Sequence, residues 1–376
     1  MKVTVKWLSE YVEIDGSIND LVDQMTLLGL EVEGHWEVGD SFSDVIVGQI
    51  QQVMPHPNAD RLSICHVTDG KQSYDVVCGA PNVRLGMKAP LAKEGATLPD
   101  GNVRRAEIRG VKSSGMLVSK RELGLSEDHS GIYELPEDTK LGLPLQVALD
   151  LKDTIIDISV TPNRPDCLSM LGVAREIAAA NNQSLKKPAL AFEPVGGDID
   201  DLASVTIEDP DLCPRYSGIL VKDVTIGPSP DWMVRCLEGA GIRSINNIVD
   251  ITNFVNIECG QPLHAFDFDF LEEHRIVVRR SKPNEKITTL DEQTWDLPKD
   301  SLLICDGKKP VALAGVMGGL NSLVHEKTKD VFIESAYFEP SNIRRTSKTL
   351  GLSSEASYRF ERGVDVDGVP WALHRA

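Results

Sequence analysis

The chain has 376 residues, 41% of them hydrophobic and 26% charged, a length that suggests two to four domains and a composition that excludes wholesale disorder or a collagen-like fibre. Lys and Arg number 39 against 57 Asp and Glu, and the net charge of -18 argues against binding nucleic acid or anionic membrane over the whole surface. No run of about 18 apolar residues predicts a spanning helix, and the start Met1-Lys2-Val3-Thr4-Val5 lacks the basic patch and apolar stretch of a signal peptide, so a cytoplasmic protein is the default expectation.

Val3, Val5 and Trp7 alternate as a strand. Ser17-Ile18-Asn19-Asp20 then reads as a helix cap with an acid three residues on, followed by Ile18, Leu21, Val22, Met25 and Leu28 at helical spacing and by Gly29 as a stop. A unit of about forty residues cannot bury that apolar face alone, so it must pack on something later in the chain. From Asp44 to about Ala148 the texture changes to short β-type runs broken by turns, at Val45–Ile50, Ile64–Thr68, Asp75–Cys78, Lys88–Leu91, Arg105–Ile108 and Met116–Val118, which predicts a small barrel. The next helix, near Leu168–Ala180, carries Leu168, Leu171, Ala174, Ile177 and Ala178 on one face. With the strand Asp157–Val160 it could supply the missing partner and make the barrel an insertion within one α/β domain.

Residues 191–211, rich in acids and containing Pro194 and Gly196-Gly197, read as a linker. Beyond it, Ser229-Pro230 opens a helix with Met233, Cys236 and Leu237 inward, and strands are expected at Arg275–Arg279, Ser301–Cys305, Val311–Ala314 and Val331–Ser335. The chain ends in a helical pattern with no stop signal, as expected of a longer natural protein. Seven cysteines, none at C-x-x-C spacing, predict free thiols in a reducing compartment rather than a disulfide framework or a zinc site.

Charge is uneven. Between Arg84 and Arg121, nine basic residues (Arg84, Lys88, Lys93, Arg104, Arg105, Arg109, Lys112, Lys120, Arg121) face three acids (Glu94, Asp100, Glu107). On charge alone this is a solvated strand face. Around it stand His56-Pro57-Asn58-Ala59-Asp60-Arg61-Leu62, Cys78-Gly79-Ala80-Pro81-Asn82 and Arg109-Gly110-Val111-Lys112-Ser113-Ser114-Gly115-Met116. Together these segments resemble the tRNA-binding OB-fold module of bacterial methionyl- and phenylalanyl-tRNA synthetases and of free-standing tRNA-binding proteins. The resemblance implies that Arg84, Lys88, Arg104, Arg105, Arg109, Lys112, Lys120 and Arg121 contact tRNA phosphates, which give position rather than sequence.

A second set of segments runs Arg243–Val255, Gly260–Asp267, Leu313–Gly319, Ile333–Ala336 and Ser354–Gly363. No G-x-x-x-x-G-K-[ST] or G-x-G-x-x-G element occurs, so neither ATP nor a dinucleotide is expected to bind within them. Taken in order with the rest, they resemble the beta subunit of bacterial phenylalanyl-tRNA synthetase from residue 1 to the end, with the later modules of that subunit missing. The implied fold class is α+β multidomain: a split α/β domain (1–39 plus 150–190) with an inserted OB-fold barrel (40–149), the linker (191–211), and a mixed α/β B3/B4 editing domain (212–376).

The resemblance also implies function. ATP-dependent esterification of phenylalanine, with ATP and Mg2+, sits on the alpha subunit of an alpha2beta2 heterotetramer, and the B3/B4 domain hydrolyses mischarged tyrosyl-tRNA(Phe). Partners would be that alpha subunit and tRNA(Phe), with no membrane, no metal and no cofactor in this half. A second sieve is needed because an apolar pocket rejects one added hydroxyl by only about 100-fold. The family's editing positions fall on Arg243, Thr252, Asn253, His264, Gly315, Gly318, Gly319, Glu334, Ser354 and Ala356. Glu334 would accept the tyrosine hydroxyl. His264 and Asn253 would hold the hydrolytic water or the ester end, with Thr252 beside them and His264 as formal general base the rival assignment. Backbone N–H groups near Gly315 and Gly318 would fix the substrate, and Ala356 would leave room for the ring. Ser354 stands where the family often has threonine. The competing expectation is a non-catalytic tRNA-docking and scaffolding fragment. It does not need His264, Asn253 and Glu334 together, and all three are present.

Overall fold

A computed structural model describes residues 1–126, 129–190 and 192–376. The chain forms two compact units, Met1–His35 with Ile155–Ala376, and Trp36–Thr154. The first begins with strand β1 (Lys2–Thr4), helix α1 (Val5–Ser9), helix α2 (Ile18–Leu27) and strand β2 (Glu31–Val38). Ser17 caps α2 as the sequence predicts: its hydroxyl accepts from the Asp20 amide while the Asp20 carboxylate accepts from the Ser17 amide, a reciprocal capping box.

The second unit holds strands β3 (Ser43–His56), β4 (Ala59–Thr68), β5 (Ser73–Cys78), β6 (Lys88–Leu98), β7 (Gly101–Asn102), β8 (Ala106–Ile108), β9 (Val111–Ser113) and β10 (Gly115–Leu117), and helix α3 (Leu145–Ala148). The main sheet is ordered β10–β6–β3–β4–β5, all antiparallel, with β7 paired to β6. Among the described residues no ladder joins the edges β5 and β10, but the Ser114 amide donates to the Asp75 carbonyl at 2.8 Å and bridges them at one end. Strand β3 is longer than the predicted Val45–Ile50, because register shifts at Ile50/Gln52 and Pro55/His56 carry it through the His-Pro segment. Glu127 and Asp128, within the expected barrel, and Ala191, at the start of the expected linker, lie outside the described residues.

The first unit resumes with β11 (Asp153–Ser159), α4 (Met170–Ala180), β12 (Ser204–Ile207), β13 (Arg215–Val221), α5 (Asp231–Gly239), α6 (Asn247–Cys259), β14 (Leu263–Asp267) and β15 (Arg275–Arg280). Then come β16 (Lys286–Thr288), β17 (Thr294–Asp296), β18 (Leu302–Cys305), β19 (Pro310–Leu313), β20 (Met317–Gly318), β21 (Val331–Tyr337), α7 (Pro340–Leu350), α8 (Glu355–Phe360) and α9 (Val369–Arg375). Strands β1, β11 and β2 form one sheet in that order. Leu21 and Met25 of α2 share a core with Met170, Val173, Ala174 and Ile177 of α4, and this core also takes Met233 and Leu237 of α5 and Phe254, Val255 and Ile257 of α6. Separate bodies were expected for 1–39 with 150–190 and for 212–376. The two segments meet in this core, where α5 and α6 pack against the apolar faces of α2 and α4.

A buried polar network runs through the same core. The Trp7 indole N–H donates to the Tyr11 hydroxyl at 2.7 Å, and that hydroxyl donates to Glu258 Oε1 at 2.7 Å. Arg375 donates to both oxygens of the fully buried Glu258, at 2.7 and 2.9 Å.

Two further sheets build the rest of the unit. One is ordered β12–β15–β18–β19–β20 and the other β13–β21–β14, with β21 in the centre. The expected linker is therefore shorter than 191–211: Ser204–Ile207 pairs in parallel with Arg275–Val278 and lies in the first of these sheets. One face of the three-stranded sheet, with Phe266, Phe332 and Ala336, packs into a core shared with Leu303, Val311 and Leu313 of the larger sheet. The other face, with Ala265, Val331 and Ile333, receives Ile248 of α6 and Leu373 of α9.

Candidate functional sites: a basic hairpin and a buried carboxylate beside an imidazole

In the Trp36–Thr154 unit, β8 and β9 form a hairpin of their own. Its two turn residues, Arg109 and Gly110, both have positive φ, at 49° and 88°, the pattern of a type I′ turn. The His-Pro-Asn segment holds this hairpin in place. The Asn58 amide donates to His56 Nδ1 at 3.1 Å, so the ring proton sits on Nε2, which donates to the Ile108 carbonyl at 3.0 Å. Asn58 Nδ2 donates to the Arg109 carbonyl at 3.0 Å.

The structure brings Arg104, Arg105, Arg109 and Lys112 together on or beside this hairpin, all exposed. Arg104, Arg105 and Lys112 make no ion pair or side-chain hydrogen bond among the described residues. Other members of the basic stretch are placed elsewhere. Arg84 forks onto Glu134, Lys88 donates to the carbonyls of Glu137 and Thr139, and the Lys120 ammonium lies 4.7 Å from the centre of the Tyr133 ring. Arg121 is exposed.

The second site lies on the three-stranded sheet. His264 of β14 and Gly218 of β13 both stand directly opposite Glu334 on β21, so the side chains of His264 and Glu334 share a face at the roughly 5 Å spacing of cross-strand neighbours. Gly318 closes over the imidazole. A Cβ there would lie 2.5 Å from His264 Cε1 and 2.8 Å from Nε2, so the ring occupies the space a side chain would need. Glu334 is 7% exposed. Its Oε2 accepts from the Tyr216 hydroxyl at 2.7 Å, and its Oε1 has no partner among the described residues. Burial raises the Glu334 carboxyl to about 7 against the smaller opposing pull of the Tyr216 hydrogen bond, and burial pushes His264 down to about 4. At neutral pH the imidazole is uncharged and the carboxyl sits close to its midpoint, so its ionised, purely accepting form gains as pH rises.

The remaining expected site residues divide. Ser354 caps α8, accepting from the Ser357 amide at 3.0 Å, and donates to the Val316 carbonyl at 2.7 Å, so its hydroxyl ties α8 to the glycine loop. Ala356 packs against the core of that region. A Cβ on Gly315 would meet Phe338, Phe360 and Ile343 at about 3 Å, so this residue faces the apolar core rather than His264. The Gly319 amide is taken by the Val311 carbonyl at 2.8 Å. Thr252 is buried, with its hydroxyl donated to the Val249 carbonyl at 2.7 Å, Asn253 is half-buried on the same helix, and Arg243 is exposed just before it. Among the described residues no hydrogen bond joins Arg243, Thr252 or Asn253 to His264 or Glu334. Tyr216, the partner of Glu334, was not anticipated: it lies in Arg215-Tyr216-Ser217-Gly218, where no spacing or charge pattern singles it out.

One group among the described residues has metal-ligand spacing, Asp166, Cys167 and Glu176. Arg164 already occupies it, donating to Asp166 and Cys167 and pairing with Glu176 at 2.9 Å, so it does not fit Mg2+.

Two family models match: "Putative tRNA binding domain" over residues 45–144 and "B3/4 domain" over residues 212–376. These define the class, a tRNA-binding domain followed in the chain by a B3/4 domain. Over 377 aligned residues the chain is 53% identical to the Phenylalanine--tRNA ligase beta subunit of Syntrophus aciditrophicus and 53% identical to that of Geobacter sulfurreducens, covering 100% of this chain and 47% of each relative. The Moorella thermoacetica subunit is 50% identical over 383 residues, with 48% of it covered. Over its full length the chain is similar to phenylalanine--tRNA ligase beta subunits, and it spans about half the length of the curated relatives it matches. Among solved structures, an N-terminal fragment of the phenylalanyl-tRNA synthetase beta-subunit from Pyrococcus horikoshii aligns with 89% of this chain and 67% of its own, at 13% identity and a TM-score of 0.34.

Proposed function

We propose that this chain binds tRNA(Phe) through its basic hairpin and hydrolyses mischarged tyrosyl-tRNA(Phe) at the Glu334–His264 face. It would do so in the cytoplasm as part of an alpha2beta2 synthetase whose alpha subunit carries out the ATP- and Mg2+-dependent esterification. Neither ATP nor Mg2+ is assigned to the residues described here. The observation that carries the reading is Glu334, a buried carboxylate that already accepts one phenol hydroxyl, from Tyr216, and keeps a second oxygen unpartnered. A tyrosine side chain would satisfy that oxygen and a phenylalanine would leave it unpaired, a difference that discriminates far more strongly than a methylene. The uncharged His264 imidazole can hold a water by accepting its hydrogen bond, so it suits the ester end, with Asn253 as a second holder of the water. Gly318 keeps that ring in place.

The test is deacylation of tyrosyl-tRNA(Phe) and phenylalanyl-tRNA(Phe) by the chain, with and without the alpha subunit. Preferential loss of tyrosine is expected. Equal rates, or none in either setting, leave tRNA docking and scaffolding as the better reading.

The hairpin makes a separate prediction. Replacing Arg104, Arg105 and Arg109 by alanine should weaken tRNA binding and flatten its dependence on log salt by about three phosphate contacts, read by filter binding from 50 to 200 mM salt. Alanine at Arg84 and Lys88, which hold Glu134 and the 137–139 carbonyls, should move the slope much less. Equal effects of the two sets would return the hairpin to a solvated surface.

A further inference from the structure

Glu334 has a protein partner that the editing chemistry does not require. Tyr216 lies on β13 opposite Ala336, two residues along from Glu334 on the central strand, so its ring and the carboxylate project from the same face. Between them stands Gly218, directly opposite Glu334, where a Cβ would lie 2.1 Å from the Phe332 ring. With that space filled by Phe332, the carboxylate meets the Tyr216 hydroxyl at 2.7 Å.

We infer that Tyr216 is a specificity-determining positioning residue: its hydroxyl holds Glu334 Oε2 so that Oε1 alone is left as the acceptor for a bound phenol. The inference rests on the editing reading above and deepens it. A carboxylate free to rotate could turn either oxygen, or neither, to the substrate. One anchored by a short hydrogen bond presents a single acceptor in a fixed direction, and this is what makes a missing hydroxyl costly.

The same bond acts on protonation. A phenol O–H donated to a carboxylate favours its charged form, the form that can only accept. The titratable groups around Glu334 are Tyr216 from β13, His264 from β14 and, preceding β13, Cys213, whose thiol burial and the Glu334 charge both push up to about 12. His264 is uncharged above about pH 4, so over the neutral range Tyr216 is the neighbour that helps keep Glu334 ionised.

The experiment uses the full chain as wild type, Tyr216→Phe and Glu334→Gln. Tyrosyl- and phenylalanyl-tRNA deacylation is measured from pH 5.5 to 9, and the Glu334 carboxyl is titrated by carbon-13 NMR, its signal assigned by its loss in Glu334→Gln. Tyr216→Phe keeps the ring and is expected to lower the tyrosyl preference roughly tenfold at pH 7, to regain part of it at higher pH, and to raise the carboxyl midpoint by about one pH unit. Placing 3-fluorotyrosine at position 216, which keeps the phenol and strengthens it as a donor, should move the midpoint down, and it covers the case in which Tyr216→Phe folds poorly. An unchanged preference and midpoint in Tyr216→Phe, or no downward movement with 3-fluorotyrosine, overturns the inference. A wild type that treats both esters alike overturns the editing reading itself, and the specificity role falls with it.

Discussion

Glu258→Ala is expected to destabilise the Met1–His35 with Ile155–Ala376 unit by about 3–5 kcal/mol, the range for removing one partner of a buried ion pair. Glu258 is fully buried and accepts from Tyr11 and twice from Arg375. Without it the Tyr11 hydroxyl has no acceptor. Arg375, 30% exposed at its side chain, keeps only solvent and the face of Phe254, whose ring centre lies 5.6 Å away. Glu258→Gln, which can still accept from Tyr11, should lose less. Urea unfolding monitored by tryptophan fluorescence reads this directly, since Trp7 donates to the same Tyr11 hydroxyl and stacks on Phe254 at 4.7 Å. A loss below about 1 kcal/mol for the alanine variant would mean that the network is incidental to the fold.

Glu334→Ala is expected to cut the preference for tyrosyl- over phenylalanyl-tRNA by about 100-fold or more, because the phenol would enter a site without its acceptor. His264→Ala should slow hydrolysis of both esters with less effect on the preference, as its proposed place is at the ester. The two residues also leave opposed marks on stability. Glu334 is raised from 4.5 to about 7 in the fold, so the native state binds more protons than the unfolded chain in that window, and stability falls as pH rises through it. His264 is lowered from 6.5 to about 4, so the unfolded chain binds more protons, and stability rises with pH across its window. Between about pH 4.5 and 6.5 the two slopes oppose each other. Glu334→Gln should therefore give a stability that rises with pH there, and His264→Gln one that falls. Parallel profiles for both variants and wild type would show that neither group is held away from its ordinary protonation.

Much of this was legible in the sequence where local chemistry acts alone. Ser17 and Asp20 announce the start of α2, Gly29 its end, and the run from Met170 to Ala180 shows its buried stripe. Strands β15, β18, β19 and β21 begin within a residue of where their β-branched runs predict. What escaped depends on partners distant in sequence. Ser204–Ile207 is flanked by acids and glycines and becomes a strand because Arg275–Val278 offers it an edge. The basic stretch reads as one face, yet Arg84 and Lys88 are claimed by Glu134 and the 137–139 carbonyls about fifty residues away. At the second site His264 and Glu334 were found through family resemblance. Their adjacency comes from pairing across seventy residues, and Tyr216 joins them only because β13 pairs with the other edge of β21. The resemblance implies substrate-fixing N–H groups near Gly315 and Gly318; a Cβ on Gly315 would face the apolar core, and the neighbouring Gly319 amide is taken by the Val311 carbonyl.

The order β1–β11–β2 has a consequence for how such a chain can be assembled and altered. The chain leaves the sheet along β2 and returns along its immediate neighbour β11, so the points of departure and return lie about one strand spacing apart, near 4.8 Å. To the host sheet, everything between is topologically a hairpin turn, however large. Loop-closure cost grows only with the logarithm of length and is smaller still when the guest folds with its own ends together. A nucleic-acid-binding module could thus enter at this junction, be exchanged or be excised without re-registering a host strand. A short turn joining residue 38 to residue 153 is the graft that would leave the host sheet intact.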